Sequence, residues 1–510
     1  MDVEFLKYKF RDGYNGVITQ TKWQVGVRHV QITYMVLCAA ALGALRASAG
    51  VALLALTDAS RQNNSYVQAW DVGDRGAALW AFFSGHALAL LPAELYLPRL
   101  GDKFVVTAVL LINGSLNAAM PTIVNRGGWT ALCNAYFLMG MTQPCLAPVN
   151  RALLDNWLPP IEWQTAACII DTGSYVGMIL ALPASSWLSG SRLGWELVAY
   201  AQATLALSLA VLWSLLTAAS PEQHHACPDA EREYIKDASA ECRKKRQCVP
   251  WRSMLRCRRV VGLTLAHAAN NALFIFYLVD VPLYLKSTGL SLLQCGVQAM
   301  IPFVALLMLV TTTAPTIGCL LKSNMMAHVF NITYIKKVIN AIGTVSIVAG
   351  LAMATNMPEQ WSYLRLCVLT VTLGLLTFQY AGFIENVRDL SENYRGTLIV
   401  ITSAFSSVVG AVVPLGTGMI LRNDENKPDA WRVVFCSIAS VYGVCSMGGS
   451  ALGDAGLALW DRMTGGARGH DFAYHNTGLS PEEASQLELL DMYPKKPIAG
   501  IAGTPSETIA

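Results

Sequence analysis

Apolar segments of about twenty residues recur along almost the whole chain, and this recurrence restricts the possible folds more than any other feature. Each segment is close to the ~20 residues that an α-helix needs to cross the hydrocarbon core of a membrane. The sequence therefore predicts an all-α membrane protein with about twelve transmembrane helices. The segments lie near 32–57, 77–97, 104–124, 130–151, 165–188, 195–217, 260–283, 291–321, 337–355, 362–384, 397–421 and 432–454.

The composition excludes several other classes of protein. Hydrophobic residues make up 54% of the chain and charged residues 14%, whereas a soluble domain carries about 25% charged residues. The net charge of +3 is too small to indicate a nucleic-acid partner. The 13 cysteines form no CxxC pair and no zinc-finger spacing, so we expect neither a disulfide framework nor a metal site. No Walker A, GxGxxG or HExxH motif is present, which argues against an enzyme and against ATP-driven transport.

A long polar interruption divides the apolar segments into two sets of six. It runs from 218 to 259 and carries ten Lys or Arg residues, so the positive-inside rule places it in the cytoplasm. Even numbers of helices on either side then place both termini in the cytoplasm. The predicted parts are a cytoplasmic N-terminus, a first six-helix bundle, the basic central loop, a second six-helix bundle and a polar, disordered cytoplasmic tail, at 1–31, 32–217, 218–259, 260–454 and 455–510.

The loop between the first two helices supports this orientation independently. Asn63-Asn64-Ser65 is an N-glycosylation sequon, and such a site is modified only outside the cytoplasm. We therefore expect Asn63 to be glycosylated.

Two sets of six helices around a basic loop resemble the major facilitator superfamily, whose halves are related repeats with a substrate site between them. Within it the chain resembles the anion:cation symporter family of sodium-phosphate cotransporters, sialin and vesicular glutamate transporters, and most of all the insect inorganic phosphate cotransporters. The resemblance runs from about Trp23 to Gly453. It rests on Arg46 with the later GVALLALTD, FFSGH at 82–86, Arg99-Leu100-Gly101-Asp102-Lys103, NWLPPIE at 156–162, GSYVG at 173–177 and GWELVAY at 194–200.

This resemblance implies a secondary active transporter of an organic anion or inorganic phosphate that works by alternating access. The partners would be a small anionic substrate and the lipid bilayer, without nucleic acid, and we expect a monomer. No cofactor is expected apart from Na⁺ or H⁺ as the coupling ion. The resemblance is compatible with the plasma membrane and with a lysosomal or vesicular membrane.

Several positions depart from the family pattern and keep a second interpretation open. Helix four of the family often carries an Arg and a Glu, but the corresponding places here are Tyr136 and Gln143. Pro98 stands where an Asp usually precedes Arg99, and Ala272 replaces an Arg of the glutamate carriers. The alternative is therefore a non-transporting or uncoupled relative with a sensor or structural role.

Arg46 is the first candidate for a substrate contact. It is the one charge in the apolar run 34–56, and a guanidinium at that depth costs at least ~2.5 kcal/mol. Its planar fork can bind carboxylate or phosphate oxygens in bidentate geometry, and the family resemblance implies this role. A structural pair with a carboxylate or with backbone carbonyls is the other possibility.

Three further ionisable residues of the first half are candidates. Arg151 could contact the substrate, or it could extend to the membrane interface with Asp155 as its partner. His86 could contact the substrate, carry a coupled proton or be a packed side chain. Asp171 could pair with Arg46 and take up a proton when a substrate anion displaces it.

The second half contains two candidate asparagines in its first helix and charged residues at the ends of its helices. Asn270 and Asn271 could contact polar groups of the substrate or form hydrogen bonds between helices. Asp280 and Lys286 are expected at the interface near the outer end of helix seven. We also expect gate contacts between helices at the inner end, formed by Arg99, Lys103, Glu385, Arg388 and Asp389.

Overall fold

Helices long enough to cross a membrane account for most of the part of the chain that the structure describes. The structure is a computed structural model of the 510-residue chain. It describes residues 26–58, 68, 70–97, 102–240, 249–322, 332–379, 387, 390–391, 394–422, 427–453 and 458.

The first half contains six spanning helices. The helix Asp102–Thr142 is broken at Gly128, where the backbone has φ 61° and ψ −153°, a conformation that glycine adopts at little cost. We therefore divide it into α3 (102–127) and α4 (129–142), and α4 continues through the turn Gln143–Cys145 into the helix Leu146–Trp157. The others are α1 (Val27–Leu56), α2 (Val72–Tyr96), α5 (Pro160–Leu188) and α6 (Trp195–Leu216).

Six more spanning helices form the second half, after two short helices of the central loop. The loop helices are α7 (Asp229–Ala240) and α8 (Trp251–Arg256). Helix α9 (Arg258–Ile275) continues through the π-helical turn Phe276–Asp280 into Val281–Ser287. The remaining helices are α10 (Leu292–Lys322), α11 (Ile332–Asn356), α12 (Ser362–Gly374, within an apolar span that extends to Gln379), α13 (Arg395–Leu421) and α14 (Pro428–Leu452).

The prediction of about twelve spanning helices is confirmed, and several of them begin some residues earlier than the apolar runs indicate. Helix α2 begins at Val72 because Asp71 caps it, with its carboxylate accepting from the Asp74 N–H at 2.7 Å. Pro160 and Pro428 occupy the first positions of α5 and α14, where proline is favoured because no N–H is needed. Hydropathy does not detect these polar first turns.

Glycines allow the closest contacts between helices of the first half. A Cβ at Gly177 of α5 would overlap the carbonyl oxygen of Ala40 in α1, and one at Gly140 of α4 would overlap the carbonyl oxygen of Phe82 in α2. In the second half α9 packs against both α13 and α14. The two halves meet chiefly along α2 with α13 and along α5 with α10.

We call the two ends of the bundle the central-loop end and the distal end. At the central-loop end Glu231 of α7 accepts hydrogen bonds from the backbone N–H groups of Val27 and Arg28, at 3.0 and 3.1 Å. At the distal end two ion pairs join the halves, Lys286 with Asp58 and Arg422 with Asp71, each at 3.1 Å. The halves are therefore closed against each other at the distal end.

Candidate functional site

Arg46 lies inside α1, where its positive charge has only a weak neutral partner. Its Nη2 is 3.5 Å from the Oε1 of Gln143 in α4, and its Nε is buried without an acceptor. No carboxylate of the described residues lies within the 4.0 Å of an ion pair. Tyr175 of α5 is close enough to interact electrostatically with the guanidinium. A partly buried cation in this state could bind an anion.

Two other side chains of the first half lie around Arg46. His86 of α2 is within electrostatic range of the guanidinium. The Nε2 of Gln143 is buried without an acceptor, like the Nε of Arg46. The two unsatisfied donors come from two helices, and an oxyanion could accept from both.

The second half faces this region with an aromatic ring and an amide. Phe274 of α9 contacts the ring of Tyr175, with 5.9 Å between the ring centroids, and the ring of Phe303 at 5.4 Å. Asn270, one turn earlier in α9, is 2% exposed, and neither its Nδ2 nor its Oδ1 has a partner. A buried amide in this state costs free energy unless another group completes its hydrogen bonds. Phe274 of the second half therefore reaches Tyr175, which interacts with Arg46, and Asn270 lies one turn from Phe274 in the same helix.

Asn271 and His267 have partners within the second half. The Nδ2 of Asn271 donates to the carbonyl oxygen of Ser406 in α13 at 2.9 Å. The Nδ1 of His267 lies 3.1 Å from the Oγ1 of Thr402, also in α13. Asn271 thus joins helices, as one of its two interpretations expected, while Asn270 stays available to a ligand.

Arg151 forms an ion pair with Glu94 of α2, a partner other than Asp155, which one of its two interpretations proposed. Asp155 instead accepts a hydrogen bond from the Nε1 of Trp163 at 2.8 Å. The reason is helix geometry: α4 presents Arg151 toward the last turns of α2. Glu94 balances the charge of Arg151, so this arginine differs from Arg46.

Asp171 and Arg46, which the sequence offered as a possible pair, form no ion pair within 4.0 Å in this structure. Asp171 is exposed and interacts electrostatically with Arg151. Asp171 lies one turn before Tyr175 in α5, on the side of the central-loop end, which places it with Arg151 rather than with Arg46. Asp280 also departs from the expectation of an interfacial position, since it is 2% exposed.

The expected inner gate lies mostly outside the described residues. This applies to Arg99, Glu385, Arg388 and Asp389, and the glycosylation candidate Asn63 lies outside them too. Lys103 is described at the start of α3, where its carbonyl oxygen accepts from the Nε1 of Trp213 at 3.2 Å.

Sequence reasoning missed Gln143, Tyr175 and Glu94 as members of the site and its surroundings. Gln143 had a signal, because it occupies the place of a family glutamate. Tyr175 lies in the GSYVG run, which indicated close helix packing and not a site. Glu94 was one acid near the end of an apolar helix, and its partner Arg151 is 57 residues away.

Comparisons with known proteins agree with this architecture. Residues 35–414 match the family model described as Major Facilitator Superfamily. A "Putative inorganic phosphate cotransporter" of Drosophila ananassae is 25% identical over 77% of this chain and 81% of its own length. Sialin of Ovis aries is 25% identical over 73% of this chain and 74% of its own length. Vesicular glutamate transporter 2 of Homo sapiens is 23% identical over 73% of this chain and 63% of its own length.

Solved structures show the same fold. A bacterial homolog of the human lysosomal transporter Spinster superposes with a TM-score of 0.63 at 12% identity, over 84% of this chain and 98% of the other. The xylose transporter XylE from E. coli superposes with a TM-score of 0.58 at 15% identity, over 90% of this chain and 99% of the other. The fold expected from the sequence, with two six-helix halves, is thereby confirmed.

Proposed function

Because the chain belongs to the Major Facilitator Superfamily, we propose that it is a secondary active transporter of an organic anion or inorganic phosphate. The chain is a multi-pass integral membrane protein whose relatives are transporters and not enzymes. Alternating access of the site between the two halves would carry the anion across the membrane.

The observation that carries the proposal is the uncompensated charge of Arg46. Its guanidinium faces the neutral Gln143, and its Nε has no acceptor. Keeping a lone cation at this depth is costly, and a bound anion would remove the cost. Arg151, by contrast, already has a carboxylate partner in Glu94. Arg46 is therefore the group that we assign to the anion, and Gln143 and Asn270 are the neutral donors that could assist it.

The sequence and the relatives support three further parts of this proposal: the coupling ion, the membrane in which the protein lies, and the glycosylation site. Coupling would use H⁺ or Na⁺, and the candidate proton-binding groups are His86 near Arg46 and Asp171 near Arg151. The names of two relatives refer to transport of phosphate and glutamate, and one of these names also refers to vesicles. We propose that this protein lies in a vesicular, lysosomal or plasma membrane. Both termini would be cytoplasmic, and Asn63 would carry the glycan.

Uptake into proteoliposomes tests the proposal. The purified protein is offered labelled phosphate, glutamate and sugar-acid anions, with and without proton and sodium gradients. We expect gradient-dependent uptake of at least one anion, and at least a tenfold loss in Arg46→Gln, because a hydrogen bond to a charged group contributes about 1.5–3 kcal/mol. Arg46→Lys keeps the charge without the planar fork, so we expect partial uptake.

Arg126→Gln is the matched control, because Arg126 is exposed at the distal end of α3. It should transport like the unmodified protein. If no anion is taken up and no anion raises the unfolding temperature, the proposal is wrong and the non-transporting interpretation is supported.

A further inference from the structure

Asp280 is a buried carboxyl group that the proposed anion site does not use. It is 2% exposed and ends the π-helical turn Phe276–Asp280 in α9. Such turns occur frequently at functional sites. The Oδ2 of Asp280 accepts a hydrogen bond from the Oγ1 of Thr417 in α13 at 3.1 Å. In the described part of the chain no cation lies within ion-pair distance of this carboxyl group.

The carboxyl group lines a narrow cavity between the two halves. Helices α1 and α2 contribute Gly50 and Gly76 from the first half, and α13 contributes Pro414 and Thr417 from the second. Gly50 is four residues beyond Arg46 in α1, which is about 6 Å along the helix axis. The cavity therefore lies one helical turn from the candidate anion site, on the side of the distal end.

Among the described residues, the charged groups around this cavity form no ion pair with the carboxyl group of Asp280. Arg75 of α2 is the one other charged residue among the described lining residues, and it donates to the Oγ1 of Thr57 at 3.2 Å. Lys286, in the same helix as Asp280, pairs with Asp58 of α1. The described residues of α13 that line the cavity are uncharged.

From this geometry we propose that Asp280 binds a proton from the distal side of the membrane as the two halves close at the distal end. Burying an ionised carboxylate without a cation is expensive, whereas a neutral carboxyl with one hydrogen bond is tolerated. Separation of the halves would admit water to the cavity and allow Asp280 to ionise. Closure thus favours the uptake of one proton, which binds Oδ1 because Thr417 donates to Oδ2. Acid on the distal side then favours the closed state.

The other acidic residues of the distal end would give the opposite pH dependence. Asp71 is partly buried, which alone would raise its pKa, but the hydrogen bond from Asp74 and the Arg422 guanidinium outweigh this and lower the pKa. A carboxylate whose pKa is lowered in the closed state stabilises that state when the pH is above the unperturbed pKa. This stabilisation is lost as the pH falls. Protonation of Asp71 or Asp58 would weaken an ion pair and favour opening. The sign of the pH effect therefore distinguishes Asp280 from these pairs.

Hydrogen exchange of the purified full-length protein, measured by mass spectrometry without any anion, tests this inference. The readout is the protection of the distal turns of α1, α2 and α13, with exchange times scaled to the intrinsic rate at each pH. We expect protection to increase as the pH falls. In Asp280→Asn, which imitates the neutral carboxyl, the distal turns should show the protection of the acid form at every pH. Asp229→Asn makes the same chemical change at an exposed carboxyl group of α7, at the central-loop end, and should keep the pH dependence.

The inference is wrong if protection does not rise on acidification, or if Asp280→Asn retains the pH dependence. A second variant, Thr417→Val, covers the case in which Asp280→Asn does not fold. In the closed state, loss of the hydroxyl donor destabilises the ionised form of Asp280 more than the neutral form. The exchange rate of the distal turns at high pH, divided by the rate at low pH, should therefore increase about tenfold. An unchanged ratio contradicts the inference. Because no anion is present, the result does not depend on the outcome of the uptake experiment.

Discussion

At the scale of single residues, the partner of a buried charge decides what the charge can do. Arg46 and Arg151 are both arginines inside the first half. Glu94 neutralises Arg151, while Gln143 offers Arg46 only a neutral oxygen at 3.5 Å. An arginine cannot lose its proton inside a protein, so the uncompensated charge of Arg46 persists. The two residues thus have the same chemistry and different capacity to bind an anion.

Gln143→Glu should convert Arg46 into a paired arginine. The new carboxylate would lie beside Nη2 and compete with a substrate anion for the guanidinium. We expect the KM for anion uptake, or the Kd of an anion measured by thermal shift, to increase about tenfold or more, since hydrogen bonds to charged groups contribute about 1.5–3 kcal/mol. Gln143→Met removes the amide without adding charge and is the control. An equal affinity for anions in Gln143→Glu and the unmodified protein would show that Arg46 does not bind them.

At the scale of elements, contacts through glycine determine how closely the helices approach. Gly173 and Gly177 of α5 face Val36 and Ala40 of α1, and there is no space for a Cβ at either glycine. The same contact brings Tyr175 of α5 toward Arg46. Close packing of α1 with α5 therefore positions Tyr175 near Arg46 in addition to stabilising the fold.

Gly177→Ala should move α5 away from α1. The added Cβ would overlap backbone, which cannot rotate away, and inserted atoms of this kind cost typically about 1–3 kcal/mol. We expect a lower unfolding temperature in detergent and weaker anion binding. Gly416→Ala in α13 is the matched control, because no atom lies within 4 Å of the position that its Cβ would take. Similar effects of the two substitutions would contradict this explanation of the α1–α5 contact.

At the scale of the whole molecule, ion pairs of unequal burial join the halves at the distal end. The Asp58 side chain is 6% exposed and that of Lys286 25%, whereas Asp71 and Arg422 are 39% and 67% exposed. Exposed pairs contribute about 0–1 kcal/mol, and removing one partner of a buried pair costs about 3–5 kcal/mol. The closed distal end therefore depends mainly on the pair of Lys286 with Asp58.

Lys286→Gln should loosen the distal end, while Arg422→Gln should change it little. Removing Lys286 takes away the ammonium group that lies 3.1 Å from the buried Asp58 carboxylate, and we expect faster hydrogen exchange in the distal turns of α1 and α9. The double variant Asp58→Asn with Lys286→Gln should recover part of the protection, since the carboxylate that Lys286 paired is removed with it. Equal exchange in Lys286→Gln and Arg422→Gln would contradict this ranking of the two pairs.

The number, order and approximate ends of the helices follow from the sequence alone, because length and apolarity are properties of each segment taken separately. It also identified Arg46 as the residue to examine, because a charge within an apolar run is detectable without a partner. The family resemblance added the two-half architecture, which the comparisons confirmed.

Which charges have a partner depends on how the helices pack against one another. Gln143 is 97 residues from Arg46, and Glu94 is 57 residues from Arg151. Each pair depends on how two helices are rotated and packed, and no local pattern contains that information. For the same reason the sequence placed Asp280 at an interface, while packing buried it, and the sequence could not decide whether Asp171 lies beside Arg46 or beside Arg151.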